Sequence, residues 1–186
     1  ITLVRIALAD VHGWKVGLKG GDLEFVETPA PALPAALAAG RIDAGTLIHA
    51  QAFKAQQTGE FRSIAEVAGD LTKKFNLRMI SAVLAGYGEK LDKDPDLYLA
   101  ALDLIKRSSQ YAVKNAKEVF AAAGKQTNTD PDFFQTWFTR YSEFPAELIK
   151  QDVAAIELLY KKSVELDLMK SYPPMSEMVW NKVAAN

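Results

Sequence analysis

The pattern of apolar residues changes at Asp94, and this change constrains the fold more than any other feature of the chain. Before Asp94, short apolar runs of strand length alternate with short helical patterns, and the connections between them are only a few residues long. After it, apolar residues recur at spacings of three and four, which is typical of helices that bury one face. The sequence therefore predicts an α/β first half and a helical second half.

Four apolar runs in the first half are predicted to be strands. The first alternates apolar with acidic residues before Pro29, as a strand that ends in a turn does. The four runs are Leu23–Glu27, Ile42–Ile48, Phe61–Val67 and Leu77–Leu84. Because helical patterns lie between them, we expect right-handed β-α-β units in one open sheet.

The predicted helices have recognisable starts and stops. Glycines 13, 40 and 59 follow the first three and are plausible C-terminal stops. Asp94-Pro95 and Asp130-Pro131 each place a capping carboxylate before a proline at the first helical position. The predicted helices are residues 1–12, Leu33–Ala39, 50–58, the two that open at Pro95 and Pro131, and Pro145–Leu168.

Composition limits the chemistry that these 186 residues can perform by themselves. Cysteine is absent, which removes disulfides, thiolate metal sites and a cysteine nucleophile. A net charge of −1 disfavours a nucleic-acid binder that relies on a basic surface. His12 and His49 lack the spacing of a zinc site, and there is no Gly-x-Ser-x-Gly or phosphate-loop motif. We therefore assign no catalytic residue, metal ligand or cofactor.

Polar side chains at the ends of two predicted strands are the candidate ligand contacts. Thr28 follows the first strand, Thr46 lies at the end of the second, and His49 follows it directly. Open α/β sheets bind ligands at the carboxyl ends of their strands. The alternative is that His49 packs on the next helix and that the two threonines are turn or cap residues. His12, near a predicted helix end, is expected to be structural.

An aromatic stretch opens the second half of the helical region. Phe133, Phe134, Trp137, Phe138 and Tyr141 follow helical spacing. That spacing favours a helix face buried against its neighbours. An apolar pocket or a groove for a partner is the alternative.

Three ordered segments of the first half carry a family resemblance. They are Phe25-Val26-Glu27-Thr28-Pro29, residues 35–45 with Ala-Leu-x-x-Gly-x-Ile-Asp-Ala, and residues 52–62 ending in Gly-Glu-Phe-Arg. Asp94-Pro95-Asp96-Leu97 and Leu166-Asp167-Leu168 extend the likeness into the second half. This order resembles the nitrate, sulfonate and taurine type of solute-binding protein, which serves ABC transporters and belongs with thiamine-pyrimidine-synthase-like proteins.

The resemblance implies a periplasmic-binding-protein-like (type II) lobe with an open mixed sheet, followed by a mostly helical C-terminal half. Residues 1–76 would form the second lobe, and residues 77–186 a return strand and helices that pack toward the first lobe. The cleft-facing positions that carry over are Thr28 to Ala30, including Pro29, and Thr46 to His49. His49 would donate to an anionic oxygen of the solute.

The implied function is capture of a small solute, such as a sulfonate, nitrate, taurine or a related organic anion, without catalysis. The implied partners are an ABC permease and its ATPase. The chain itself would lie in the periplasm, or be an extracytoplasmic lipoprotein. The chain opens at Ile1 inside a helical pattern, which favours a fragment without the family's N-terminal lobe, and such a fragment is expected to oligomerise through uncovered apolar faces. The alternatives are an enzyme on the same bilobal fold, of the thiamine-pyrimidine or menaquinone-precursor type, and a ligand-sensing module.

Overall fold

Helices account for all the regular structure in the described chain. The computed structural model describes residues 2–17, 20–145 and 147–183. The α-helices are α1 Thr2–Asp10, α2 Leu33–Ala38, α3 His49–Thr58, α4 Val67–Phe75, α5 Gly88–Lys93, α6 Pro95–Lys114, α7 Ala116–Thr127, α8 Pro131–Thr136, α9 Lys150–Glu165 and α10 Met175–Met178. A 3-10 helix, Ala30–Ala32, precedes α2, and a π-helix, Trp137–Tyr141, follows α8.

The predicted open mixed sheet is wrong, because no residue within these described ranges forms a β-strand. Three of the four predicted strands have no regular structure, and the fourth, Phe61–Val67, leads directly into α4. A strand is stable only when a neighbouring strand satisfies its backbone N–H and C=O groups. Alternating apolar residues indicate a preference for extended backbone but do not supply that neighbour. As a result, Val26, Ile64 and Val83 are exposed and are not the inner face of a sheet.

Most of the predicted helices are confirmed, because their starts and stops are encoded locally. Asp130 caps α8 as expected, since its Oδ1 accepts a hydrogen bond from the backbone N–H of Asp132 at 2.9 Å. Gly13 and Gly59 have left-handed φ angles of 71° and 69° just after α1 and α3. The long C-terminal helix is shorter than predicted and covers only Lys150–Glu165.

The chain divides into two compact units. The first unit contains residues 1–47, 58–84 and 148–186, and the second contains residues 48–57 and 85–147. Each unit therefore combines segments that are distant in the sequence. The predicted boundary between residues 76 and 77 stays a prediction.

A small aliphatic core and an ion pair with a buried carboxylate hold the first unit together. Ile6 and Ala7 of α1 pack on Leu71 of α4, and partly buried side chains surround them. Asp152, on α9, is 2% exposed and accepts hydrogen bonds from Arg78 at 2.9 and 3.0 Å. A buried carboxylate is costly unless its oxygens are hydrogen-bonded. The pair of Arg78 with Asp152 therefore fixes α9 relative to the segment after α4.

Aromatic rings hold the second unit together. Phe133 of α8 is 8% exposed, and its ring centroid lies 5.8 Å from that of Phe53 and 5.7 Å from that of Trp137. Phe120 of α7 stacks on Phe138 at 5.3 Å. The core-packing interpretation of this stretch is confirmed for these rings, because edge-to-face and offset stacks are the favoured geometries of buried aromatics.

Candidate functional site

Two of the predicted ligand contacts line a cavity in the first unit. This cavity has a volume of about 340 Å³ and includes Thr28 and Pro29. Its other lining residues are Val26, Glu27, Ala32, Ala36, Arg41 and Ile42. The cavity is of the size that small organic ligands occupy, and its walls are mainly apolar with a few polar groups, which is the usual composition of such sites.

Local backbone structure places the polar groups of this cavity. Pro29 caps the 3-10 helix and Ala30 is its first residue, so Thr28 is held just before the turn. Arg41 follows Gly40, whose left-handed φ of 63° ends the turn after α2. No described carboxylate pairs with the Arg41 guanidinium, which leaves it able to bind an anionic group. That Thr28, Pro29 and Ala30 contact a ligand stays a prediction.

The second unit contains His49, the first residue of α3. His49 is exposed and has a φ of 51°, in the left-handed region that non-glycine residues seldom occupy. Its ring centroid lies 5.1 Å from that of Trp137, with the two ring planes at 62°. Strained backbone of this kind persists only where the surrounding structure holds it, and it is concentrated at functional sites.

Trp137 is itself the first residue of an unusual element, the π-helix Trp137–Tyr141. The Ser142 N–H donates to the Trp137 carbonyl at 2.9 Å, which closes a turn one residue wider than that of an α-helix. Tyr141 packs against Trp137 at 5.8 Å, and the Arg140 guanidinium lies 5.1 Å from the Tyr141 ring centroid. Single π-turns are rare and are frequent at functional sites.

The structure thus brings some predicted site residues together and not others. Thr28 and Pro29 share the cavity of the first unit, while Thr46 lies in an irregular segment of the same unit and lines neither cavity. His49 belongs to the second unit. Sequence reasoning missed Arg41, which stands between the cap Gly40 and the predicted strand. It also missed the π-helix, for which the spacing of apolar residues gives no signal.

A second cavity of about 390 Å³ in the first unit is less suited to a ligand. Its cation, Arg5, is buried and already donates to the carbonyl oxygens of Val16 and Gly17, and it lies over the Phe25 ring at 3.7 Å. The lining also includes two carboxylates, those of Asp22 and Glu24, which would repel an anion. Arg5 is better explained as the residue that holds the loop after α1.

The described ranges hold no candidate metal-binding cluster and no candidate membrane span. No cluster of three or more His, Asp or Glu residues suited to a metal ion occurs there. None of the described helices is both long and apolar enough to cross a membrane.

Comparison with known proteins identifies the family. A family model described as menaquinone biosynthesis matches residues 1–165. No curated protein matches the chain, and no solved structure does.

This match overturns the resemblance to nitrate, sulfonate and taurine solute-binding proteins, together with the transport role and the ABC permease and ATPase partners that it implied. The extracytoplasmic location stays a prediction. It also overturns the expectation that the chain is not an enzyme. The residues that suggested the resemblance are mainly apolar, glycine and turn residues. They specify local structure and not ligand chemistry, so they did not separate a transport protein from a biosynthetic one.

The match extends over most of the 186 residues, and the chain therefore belongs to the menaquinone biosynthesis family.

Proposed function

We propose that this chain acts as an enzyme of menaquinone biosynthesis, on a small organic precursor, with His49 as its acid–base group. The observation that carries the proposal is the convergence of two unusual backbone features. His49 has a left-handed backbone, and its ring packs on Trp137, the residue that opens the π-helix. This side chain belongs to a chain whose family is biosynthetic.

An imidazole suits this role because it exchanges protons near neutral pH, which the carboxylates and amines of a typical surface do not do. His49 is exposed, so a substrate can reach its ring nitrogens. The contact with Trp137 restricts the orientation of the ring. Orientation matters because a general base must lie within hydrogen-bond distance of the proton that it removes.

The aromatic surroundings of His49 also fit a precursor of menaquinone. Menaquinone carries a planar naphthoquinone ring. Trp137 and Tyr141 present flat apolar surfaces, and Tyr141 is 37% exposed. Planar rings stack on such side chains with favourable energy, which would hold a precursor beside the imidazole.

The proposal is tested by complementation in bacterial strains that each lack one step of menaquinone biosynthesis. Menaquinone is measured by mass spectrometry after expression of the wild-type chain, His49→Gln or His12→Gln. We expect the wild-type chain to restore menaquinone in one strain. His49→Gln should reduce the rate of that step by about a hundredfold or more, because general acid–base catalysis contributes factors of this size.

His12→Gln is the matched control, since His12 is the other histidine and lies in the turn after α1. It should restore menaquinone as well as the wild-type chain does. Circular dichroism of both purified variants checks that their helices are intact. Failure of the wild-type chain in every strain would overturn the enzymatic role, and full activity of a folded His49→Gln variant would overturn the assignment of His49.

A further inference from the structure

Helix α6 has one face that anchors it to the second unit. Tyr98, Leu102, Lys106 and Ser109 lie on this face and are partly buried. The Ser109 hydroxyl donates to the carbonyl oxygen of Phe144 at 2.5 Å, and Lys106 Nζ donates to Glu147 Oε2 at 2.6 Å. The orientation of α6 about its own axis is therefore fixed, and its other faces point away from these contacts.

A second face of α6 is apolar and exposed. Leu97, Ala101, Leu104, Ser108 and Tyr111 follow one another at spacings of four, three, four and three. Leu97, Leu104 and Tyr111 are 66%, 58% and 57% exposed. This spacing is that of the seam along which two helices pack in a coiled coil, and small residues at alternate positions allow a close approach. Within the second unit, no described residue covers this packing seam.

A third face carries charges whose order is informative. Asp96 and Asp103 lie in the N-terminal half of α6, and Arg107 and Lys114 lie in its C-terminal half. Asp103 and Arg107 form an exposed ion pair at 2.8 Å. Asp96 and Lys114 lie equally far from position 105, and so do Asp103 and Arg107. Each charge therefore has an opposite charge at the mirrored position about residue 105, which is one residue from the midpoint of the apolar seam at Leu104.

We propose that α6 pairs antiparallel with α6 of a second copy of this chain, about a two-fold axis close to Leu104. In an antiparallel pair related by a two-fold axis, the same flank of both helices meets. Asp96 of one copy then faces Lys114 of the other, and Asp103 faces Arg107. In a parallel two-fold pair this flank would instead face the opposite flank of the other helix, so these charges would not meet.

The charge order is what selects a second copy over an unrelated partner. An unrelated partner needs only charges opposite to those of α6. A two-fold contact requires more, because the charges of α6 must lie opposite their own reversed order. The sequence of two acidic and then two basic residues satisfies that condition. Antiparallel alignment also opposes the two helix dipoles favourably, and a helix of 20 residues offers a seam about 30 Å long.

The experiment is sedimentation equilibrium of the full 186-residue chain over a range of protein concentrations. The wild-type chain should show a monomer–dimer equilibrium. Asp96→Lys places two like-charged pairs across the axis, and it should raise the dimer dissociation constant by about tenfold or more. Lys114→Asp should do the same. The double variant Asp96→Lys with Lys114→Asp restores opposite charges and should return the constant close to that of the wild-type chain.

This rescue separates pairing from helix stability. The double variant puts a cation at the N-terminus and an anion at the C-terminus of α6, which opposes the helix dipole at both ends. If the charges act only within one helix, the double variant will have the lowest helix stability of the series and no recovery of dimer.

Leu104→Glu at the centre of the seam should abolish the dimer. Ile64→Glu, at a similarly exposed apolar position of the first unit, should leave the dimer unchanged. A wild-type chain that stays monomeric at all concentrations overturns the proposal. So does a dimer that the Leu104→Glu and Asp96→Lys variants leave intact.

Discussion

The two units of this chain are held together by different kinds of interaction. In the first unit, ion pairs join segments far apart in sequence, such as Arg78 with Asp152 and Lys162 with Asp10. In the second unit, rings on α7, α8 and the π-helix pack on one another within a short stretch of sequence. The first unit thus combines a small aliphatic core with a few long-range ion pairs, and the second depends mainly on contacts between aromatic rings. Substitutions should consequently have different effects in the two units.

The largest effect is expected in the aromatic cluster. Phe133→Ala removes a ring that is 8% exposed and that contacts Phe53, Phe134 and Trp137. Loss of a buried phenylalanine side chain leaves a cavity and should lower the free energy of unfolding by about 3–5 kcal/mol. Urea denaturation followed by circular dichroism measures this change, and hydrogen exchange should show loss of amide protection in α7 and α8.

Tyr87→Ala is the matched control for Phe133→Ala. Tyr87 is also an aromatic residue of the second unit, but it is largely exposed. Its removal should change the unfolding free energy by no more than about 0.5 kcal/mol. Equal effects of the two substitutions would show that the ring cluster does not stabilise the second unit in the way that we infer.

A smaller effect is expected from the ion pair between Arg78 and the buried Asp152 of the first unit. Asp152 accepts hydrogen bonds from Arg78 and from the Ile149 N–H, so Asp152→Asn weakens both the pair and the start of α9. Breaking a buried pair costs about 3–5 kcal/mol when the remaining charge stays buried. The Arg78 side chain is 42% exposed, so water can hydrate it when the pair is broken. We therefore expect Asp152→Asn to lower the free energy of unfolding by about 2–3 kcal/mol.

The control for Asp152→Asn is Asp103→Asn, which breaks the exposed pair between Asp103 and Arg107. Exposed pairs of this kind contribute less than about 1 kcal/mol. Urea denaturation of both variants gives the comparison. If Asp152→Asn costs no more than Asp103→Asn, long-range pairing is not what holds the first unit.

The same contrast explains what the sequence could predict. Asp130 and Pro131 specify the start of α8 through groups within three residues, and the helix begins at Pro131 as predicted. The run Leu77–Leu84 has strand-like residues, but a strand also needs a partner elsewhere in the chain, and no local pattern reports one. Arg78, within that run, pairs instead with Asp152, which is 74 residues away.

The candidate site shows a similar limit. The sequence indicates His49 and Thr28 as candidate contacts, because polar side chains next to apolar runs are visible in a sequence. The left-handed backbone of His49 and the turn at Trp137 were not, because both depend on how the second unit packs. The function could not be predicted from these residues. Glycine and alanine specify turns and helices, and transport and biosynthetic proteins share such elements.

The smallest effect on stability is expected from the ion pairs of Lys162. Its Nζ lies 2.8 Å from Glu165 Oε2 and 3.2 Å from Asp10 Oδ2. The hydrogen bond with Glu165, followed by the contacts with Asp10, raises the pKa of Lys162 above its ordinary value of 10.5. The hydrogen bond with Lys162 lowers the pKa of Glu165 below its ordinary value of 4.5. The Lys162 contribution to stability is therefore complete below pH 10.5 and is lost as the pH rises beyond its raised pKa. The Glu165 contribution is complete above pH 4.5 and is lost as the pH falls through its lowered pKa.

Glu165→Gln should accordingly lower the Tm at neutral pH slightly, and the difference from the wild-type chain should shrink as the pH falls to about 3. The effect is small because the Glu165 side chain is largely hydrated, at 44% exposure, and surface pairs contribute little. Glu157→Gln, at an exposed position of the same helix, is the control and should shift the Tm equally at both pH values. Lys162 retains Asp10 as a partner in Glu165→Gln, so α1 and α9 stay joined. A pH-independent difference for Glu165→Gln would mean that the Lys162–Glu165 contact is not formed in solution, and the long-range pair with Asp10 would then be the contact that Lys162 supplies to the first unit.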